Sequence, residues 1–341
     1  MSRPLPFDGI GAATARLDVG YAAAGSLAAQ LADPRVLAVF GFGEQAPVAD
    51  DPRWLRVPLQ PLLADAPIEV WRSDAPVTHG RDGEIAWAGD GRLLFGAIEV
   101  DEPDAGIEAA ATQAYARIAA FVAASGTPHL LRMWNYMDAI TLGEGDDERY
   151  RRFCVGRADG LDLVDAQRLP AATAIGRCDG RRRLQVYWLA AREPGSPVEN
   201  PRQVSAWRYP RQYGPQSPSF ARAMLPAAGA AVPLLVSGTA AIVGHASQHG
   251  GSVQDQVDET LANIDSLVGA ARARRPALPP ALGAASPLKV YVRDPADAPA
   301  IAAQLQRRLD PSVPRLLLHA QVCRRELLVE IDGAHGEPAT A

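Results

Sequence analysis

The chain of 341 residues carries 34 basic and 39 acidic side chains, a formal net charge of -5 and a sequence pI near 5.7. That balance argues against a nucleic-acid or anionic-membrane binder, whose mark is a surplus of Lys and Arg. With 48% hydrophobic residues and room for about two domains, the chain can bury a sizeable core without disulfide staples.

Three further exclusions follow from residue usage. The three cysteines, Cys154, Cys178 and Cys323, show no CxxC spacing, against a disulfide framework or a thiolate zinc site. The start, MSRPLPFDGIG, lacks a charged region followed by an apolar one, and Pro233 interrupts the best apolar run, Ala227 to Val236. A soluble, reduced, cytoplasmic protein is expected. Lys289 is the sole lysine, so an anionic ligand must be met by a few placed arginines.

Roughly the first seventy residues, rich in Ala, Pro and Asp, suggest no chemistry. Leu93 to Val100 reads as a strand. Gln113 to Val122 reads as a helix with Ala114, Ile118 and Phe121 on one face. His129 to Tyr136 is the next strand, Glu144 to Phe153 a charged helix, and Leu184 to Leu189 a closing strand. Arg192 to Pro201 is a polar, proline-rich seam.

The same order then returns. Leu234 to Gly244 is strand-like, with Gly238 where the backbone can kink. Gln256 to Val268 carries Val257, Leu261, Ile264 and Val268 as an amphipathic stripe. Leu288 to Val292 is a strand and Ala298 to Leu309 a helix; Arg315 to Val322 and Glu326 to Ile331 form two last strands. Ala271 to Pro280 reads as an insertion loop. The expected fold is therefore α+β: two units, each a mixed sheet with helices on one face, arising by internal duplication. The first domain spans 1–195, with the repeated core over about 90–191, and the second spans 196–341.

Several residues carry chemistry on their own terms. A glutamate in the apolar strand Leu327-Leu-Val-Glu-Ile331 is either on its wet face or buried with a purpose. A free cysteine such as Cys323 is ordinarily a small buried hydrophobe. Arg208-Tyr-Pro-Arg-Gln-Tyr213 reads as a solvated polar loop, or as part of a small-anion site in which arginine grips carboxylates. His245 and His249 lack an evident third ligand, so no metal is expected. Gly9-Ile-Gly11 is no dinucleotide fingerprint, the lone lysine leaves no Walker motif, and no GxSxG elbow occurs; no cofactor is expected.

The second unit resembles the Rid (YjgF-type) family in its Ser237-Gly238 strand, its Gln256-to-Ile264 helix, Val290-Tyr-Val-Arg-Asp294 and Leu327-Leu-Val-Glu-Ile331. That resemblance implies a chorismate-mutase-like α+β unit with ligand sites where units meet. The family's active-site arginine falls about where Leu316 to Leu318 stand here, beside Arg315, a departure that weighs against imine deamination.

A longer resemblance covers the chain from about Leu93 and points to the chorismatase / 3-hydroxybenzoate synthase family. Its motifs are Arg132-Met-Trp-Asn-Tyr136, Glu148-Arg-Tyr-Arg-Arg-Phe-Cys154 with Gly156-Arg157, and Asn200-Pro-Arg-Gln203. Trp207-Arg-Tyr-Pro-Arg-Gln-Tyr-Gly214, Ser237 to His245, and Cys323 with Glu330 complete them. It implies cleavage of chorismate to pyruvate and 3-hydroxybenzoate, with some 4-hydroxybenzoate left open. It also implies Glu330 as general acid, Cys323 guiding the intermediate, and Arg157, Arg211, Tyr150, Tyr209 and Tyr213 binding substrate. Arg132, Trp134 and Arg208 stay open as core or surface props. Hydrolysis to a dihydrodiol, or a Rid-like protein binding small carboxylates or clearing imines, remain alternatives. The chain is expected to be a monomer or a small homo-oligomer.

Overall fold

A computed structural model of the chain describes residues 14–63, 67–161, 165 and 168–337. Its strands form three principal sheets. The first comprises β1 (Leu17–Ala22), β2 (Val36–Phe42), β3 (Trp54–Val57) and, after the short β4 (Pro61–Leu62), β5 (Ile68–Ser73); its order is β1-β5-β2-β3. Helix α1 (Leu27–Ala32) links β1 to β2. β4 leaves this sheet and pairs with the edge of the third.

The second sheet contains β6 (Thr78–Asp82), β7 (Ile85–Gly89), β8 (Leu93–Asp101), β9 (His129–Asp138), β10 (Ala171–Arg177) and β11 (Arg183–Ala191). Helix α2 (Gly106–Ala123) precedes β9 and α3 (Arg149–Leu161) follows it. The third contains β12 (Ser196–Val198), β13 (Ala223–Leu225) and β14 (Leu234–Ala240); a small hairpin of β15 (Ile242–Val243) and β16 (Ala246–Ser247) follows. Then come α4 (Val253–Arg274), β17 (Leu288–Val292), α5 (Ala298–Arg308), β18 (Arg315–His319) and β19 (Val329–His335).

The repeat seen in the sequence is a repeat of topology. The second sheet runs β10-β9-β11-β8-β7-β6 and the third, inside its edge strand β4, runs β18-β17-β19-β14-β13-β12, so each of these six strands has a counterpart. The pairs β9/β10 and β17/β18 are parallel, each closed by a crossover helix, while β11 and β19 run antiparallel to their neighbours. The first sheet repeats the first four strands of this order as β3-β2-β5-β1, with β2/β3 parallel. The N-terminal segment that suggested no chemistry is thus a third, abbreviated unit.

The registers agree as well. Each middle strand sends a buried aromatic residue at the matching register into a central core shared by all three sheets: Phe40, Tyr136 and Tyr291. Opposite them on the neighbouring strand stand Glu69, Gln185 and Glu330. The outer sheet faces are covered by helices, with Ile107, Ile118 and Phe121 of α2 in one apolar cluster and Val257, Leu261 and Ile264 of α4 in another.

Two details depart from the expected elements. The two last strands, Arg315 to Val322 and Glu326 to Ile331, do not pair with each other, because β17 lies between β18 and β19. β18 stops at His319, and Cys323 sits in the connecting loop. β10, Ala171-Ala-Thr-Ala-Ile-Gly-Arg177, is an added strand. It is buried almost throughout, so it shows no alternation of polar and apolar residues to mark it.

Candidate active site

The second and third sheets meet along β10 and β14, and a Ser-Gly step builds the junction. Ser237 Oγ donates to the Ala221 carbonyl (2.6 Å) and accepts from the Ala172 amide (2.9 Å). The Gly238 amide donates to Thr173 Oγ1 at 2.9 Å. The β14/β19 register shifts between Val236 and Thr239, which is the kink expected at Gly238. A Cβ at Gly238 would lie 1.9 Å from Glu330 Oε1, so the missing side chain leaves the space that the carboxyl occupies.

Glu330 forms part of the wall of a cavity of about 210 Å³ at this junction. It is 5% exposed. Burial, helped by the charge of Asp332 and opposed by Arg132, Arg222 and Arg324, pushes its carboxyl up to about 8. At neutral pH this is a carboxylic acid with a proton to give. Cys323 lines the same cavity, and burial followed by the proximity of Glu330 raises its thiol far above the usual range. It is a neutral thiol and not a thiolate nucleophile.

Arg157 comes from α3. Gly156 beside it lets α2 approach, since a Cβ there would meet the Glu108 carbonyl oxygen at 2.1 Å. Gly160 does the same one turn later, where a Cβ would meet the Thr112 carbonyl oxygen at 2.7 Å. The Arg157 guanidinium lies 5.4 Å from the Tyr115 ring centroid. Its Nε and Nη2 are buried without a hydrogen-bond partner. A buried guanidinium with free N–H groups in a cavity wall is a site prepared for an anion.

Tyr150 and the Tyr209/Tyr213 pair, with ring centroids 5.3 Å apart, complete the predicted set in the cavity wall. Burial raises the Tyr150 hydroxyl well above its ordinary value, so it stays a hydrogen-bond donor. Arg211 stands apart. It lies outside the cavity lining, 65% exposed in its side chain, and binds both carboxylate oxygens of Asp146.

Arg222 and Arg324 line the cavity instead, with Arg151 and Arg325 also in its wall. Arg222 Nη2 donates to Tyr209 Oη (2.7 Å) and to the Val204 carbonyl (2.9 Å), leaving its buried Nε unpartnered. The Arg324 guanidinium sits 4.1 Å from the Tyr213 ring centroid and 5.3 Å from that of Tyr209. Arg222 falls in the apolar stretch Phe220 to Leu225, and a charge in an apolar strand is the signal that singled out Glu330. Arg324 adjoins Cys323.

Arg132 and Trp134 are core props below the cavity. Asp332 Oδ2 accepts from Thr173 Oγ1 (2.7 Å), Tyr291 Oη (2.8 Å), Trp134 Nε1 (2.9 Å) and Arg132 Nη2 (3.1 Å). Lys289 bonds Glu69 at 2.9 Å in the same buried layer. Arg208 lies by the half-exposed Trp207 ring. His245 meets Tyr213 Oη at 3.2 Å, and His249 faces Glu259 at 3.4 Å. Among the described residues no group of three His, Cys, Asp or Glu is placed to hold a metal ion.

This geometry has parallels in known proteins. A family profile described as "Chorismatase FkbO/Hyg5-like, N-terminal" matches residues 69–190. The chain is 39% identical over 275 residues to a chorismatase of Streptomyces rapamycinicus, covering 78% of this chain and 81% of the relative. It is 37% identical over 276 residues to a 3-hydroxybenzoate synthase of Streptomyces hygroscopicus, covering 78% and 80%. A chorismatase crystal structure superposes with a TM-score of 0.84 at 32% identity, covering 96% of this chain and 100% of that one. Likeness of this extent in both sequence and fold, running through the sheets that build the Glu330 cavity, means that this chain belongs to the chorismatase family.

Proposed function

We propose that this enzyme converts chorismate to pyruvate and 3-hydroxybenzoate by acid-catalysed cleavage of the enolpyruvyl ether, without a cofactor. The observation that carries the reading is a buried, protonated Glu330 in a cavity walled by Arg157, Arg222 and Arg324. Chorismate has two carboxylates and an enol ether. The arginines supply planar donors for the carboxylates, and Tyr150, Tyr209 and Tyr213 add hydroxyls along the ring.

Glu330 gives its proton to the enol-ether methylene, leaving an oxocarbenium ion beside a carboxylate. The new carboxylate, close to that cation, stabilises it electrostatically. Release of pyruvate breaks the ring C3–O bond, and the C4 hydroxyl oxygen bonds to C3 in its place. Its bond to C4 then breaks, and loss of the C3 proton aromatises the ring to 3-hydroxybenzoate and restores the proton on Glu330. Loss of the C4 proton without that transfer gives 4-hydroxybenzoate. Pyruvate and hydroxybenzoate together have the atoms of chorismate, so no oxidant, reductant or net water is consumed. The neutral Cys323 thiol, next to Glu330, guides the intermediate and keeps water from it. Arg211 has no part in this scheme, because its guanidinium is already paired with Asp146.

The proposed organisation is a domain over 1–195 and a second over 196–341 that carries the acid. No helix among the described residues is long and apolar enough to cross a membrane. The free cysteines and the net charge of -5 support a cytoplasmic enzyme without a nucleic-acid partner, working as a monomer or small homo-oligomer.

The test is chorismate with purified enzyme and no added cofactor, with pyruvate quantified and aromatic products separated. Pyruvate and 3-hydroxybenzoate in equal amounts are expected, and Glu330→Gln should lower kcat by at least a hundredfold. Pyruvate with a non-aromatic diol would make the enzyme a hydrolase instead. Binding of chorismate without pyruvate would point to a carboxylate-binding protein.

A further inference from the structure

Gln185 holds in the second sheet the place that Glu330 holds in the third. Each lies opposite a central tyrosine, Tyr136 or Tyr291, and those two hydroxyls meet at 3.2 Å. Next to Gln185, where the first sheet meets the second, lies another cavity of about 170 Å³. Its wall includes Arg56, Glu99, Arg177, Asp179, Arg181 and Arg183. We propose that this cavity binds a small carboxylate and leaves it chemically unchanged.

The charges favour an anion. Arg177 is 4% exposed, and its Nε and Nη2 are taken by Asp179, but its Nη1 is buried with no partner. Arg157 shows the same pattern in the Glu330 cavity. Asp179 is thus neutralised by Arg177 and Glu99 by Arg183. Arg56 and Arg181, both exposed, have no ion pair among the described residues, and with Glu44 also in the wall the four arginines outnumber the three carboxylates by one, which favours an anion.

The absence of chemistry follows from Gln185. Its amide has no proton to transfer at physiological pH, and Nε2 is engaged with the Arg56 carbonyl at 3.0 Å and with Glu99. Gln185 lies behind the cavity wall, 0% exposed, and touches it only through those two partners. The two cavities are close in volume and occupy equivalent junctions between sheets, so a ring-sized carboxylate suits both. The carboxylate assignment rests on the reading of the Glu330 cavity given above.

Crystals soaked with 4-bromobenzoate report each cavity separately through the bromine anomalous signal. A peak beside Arg177, and two binding equivalents in solution by calorimetry, are expected. Arg56→Ala/Arg181→Ala should weaken one equivalent at least tenfold and leave chorismate turnover unchanged. Bromine in the Glu330 cavity alone, binding at crystal concentration only, or two unaltered equivalents in the double variant would each overturn the proposal. Because 4-bromobenzoate is not a substrate, failure of chorismate turnover would strike the proposed reaction and not this site.

Discussion

Gly238 and Glu330 share one volume: the Glu330 carboxyl lies where any side chain at 238 would begin, with Oε1 1.9 Å from the Cβ position. Gly238 also holds the bulge of β14 and donates its amide to Thr173 across the junction of the sheets. One position therefore sets both the backbone path and the seat of the acid. Gly238→Ala should displace Glu330, lowering kcat by about a hundredfold or more, on the scale of the loss of a general acid. Circular dichroism and Tm should show a folded protein. A variant with wild-type kcat would mean that Glu330 has another productive position.

The pH dependence has a definite sign. Burial holds the Glu330 carboxyl up to about 8, and the proposed mechanism needs the protonated form, so kcat/KM should be level below that value and fall about tenfold per unit above it. Chorismate turnover from pH 6 to 9.5 measures this. A limb near pH 5 with no fall above pH 8 would remove Glu330 from the acid's role.

The same shift affects stability. A carboxyl at about 8 in the fold and 4.5 when unfolded takes up protons on folding, so its stabilising contribution is full below 4.5 and is lost as pH rises towards 8. At pH 7 the loss is at most about 3 kcal/mol, from 1.36 kcal/mol per unit. Glu330→Gln should therefore have a higher Tm than the wild type at pH 8 and a smaller advantage at pH 5. Equal differences at both values would contradict a buried, raised carboxyl.

Cys323 is the proposed divider of the product routes. Cys323→Ala keeps the acid and removes the thiol beside it, so pyruvate release should persist while the share of 3-hydroxybenzoate falls in favour of 4-hydroxybenzoate or the diol. Chromatography of the aromatic and diene products reads the ratio. An unchanged ratio would make Cys323 a packing residue.

Lys289, the only lysine, tests the layer below the site. Burial lowers its pKa, but Glu69 and Asp332 outweigh this and hold the ammonium raised above its ordinary value. Lys289→Met leaves Glu69 buried without its cation, a change that costs about 3–5 kcal/mol. Urea denaturation should show it. Converting Glu69 as well, in Glu69→Gln/Lys289→Met, should restore much of the loss, whereas additive losses would mean that the ion pair is not the cause.

Much of the site was legible in the sequence through the resemblance to the chorismatase family, which implied the roles of Glu330, Cys323, Arg157 and the three tyrosines. Residue types alone left Glu330 on a wet or a buried face and the Arg208–Tyr213 stretch as a solvated loop or an anion site. Hydrophobic periodicity likewise marked α2 and α4 and the strand order of two units, since a helix or strand with one buried face prints its period on the chain. Glu330, Cys323, Arg157, Tyr150, Tyr209 and Tyr213 are brought to one cavity from α3, β19 and two loops.

The tertiary structure alone decided the rest, for physical reasons. β10 is covered on both faces and so has no alternating pattern, and the abbreviated first unit has only a six-residue helix to announce it. Arg211 and Arg222 are chemically alike and lie in the same loop-rich stretch; what separates them is that Asp146 reaches one and Tyr209 the other. The protonation of Glu330 depends on its distance from water and from Asp332, Arg132, Arg222 and Arg324 together. The sequence by itself determined which chemical groups the enzyme owns and the order of its elements. Only the packing of three sheets around a common core decided which groups face one cavity, and with what charge, because desolvation and Coulomb interactions act through space and not along the chain.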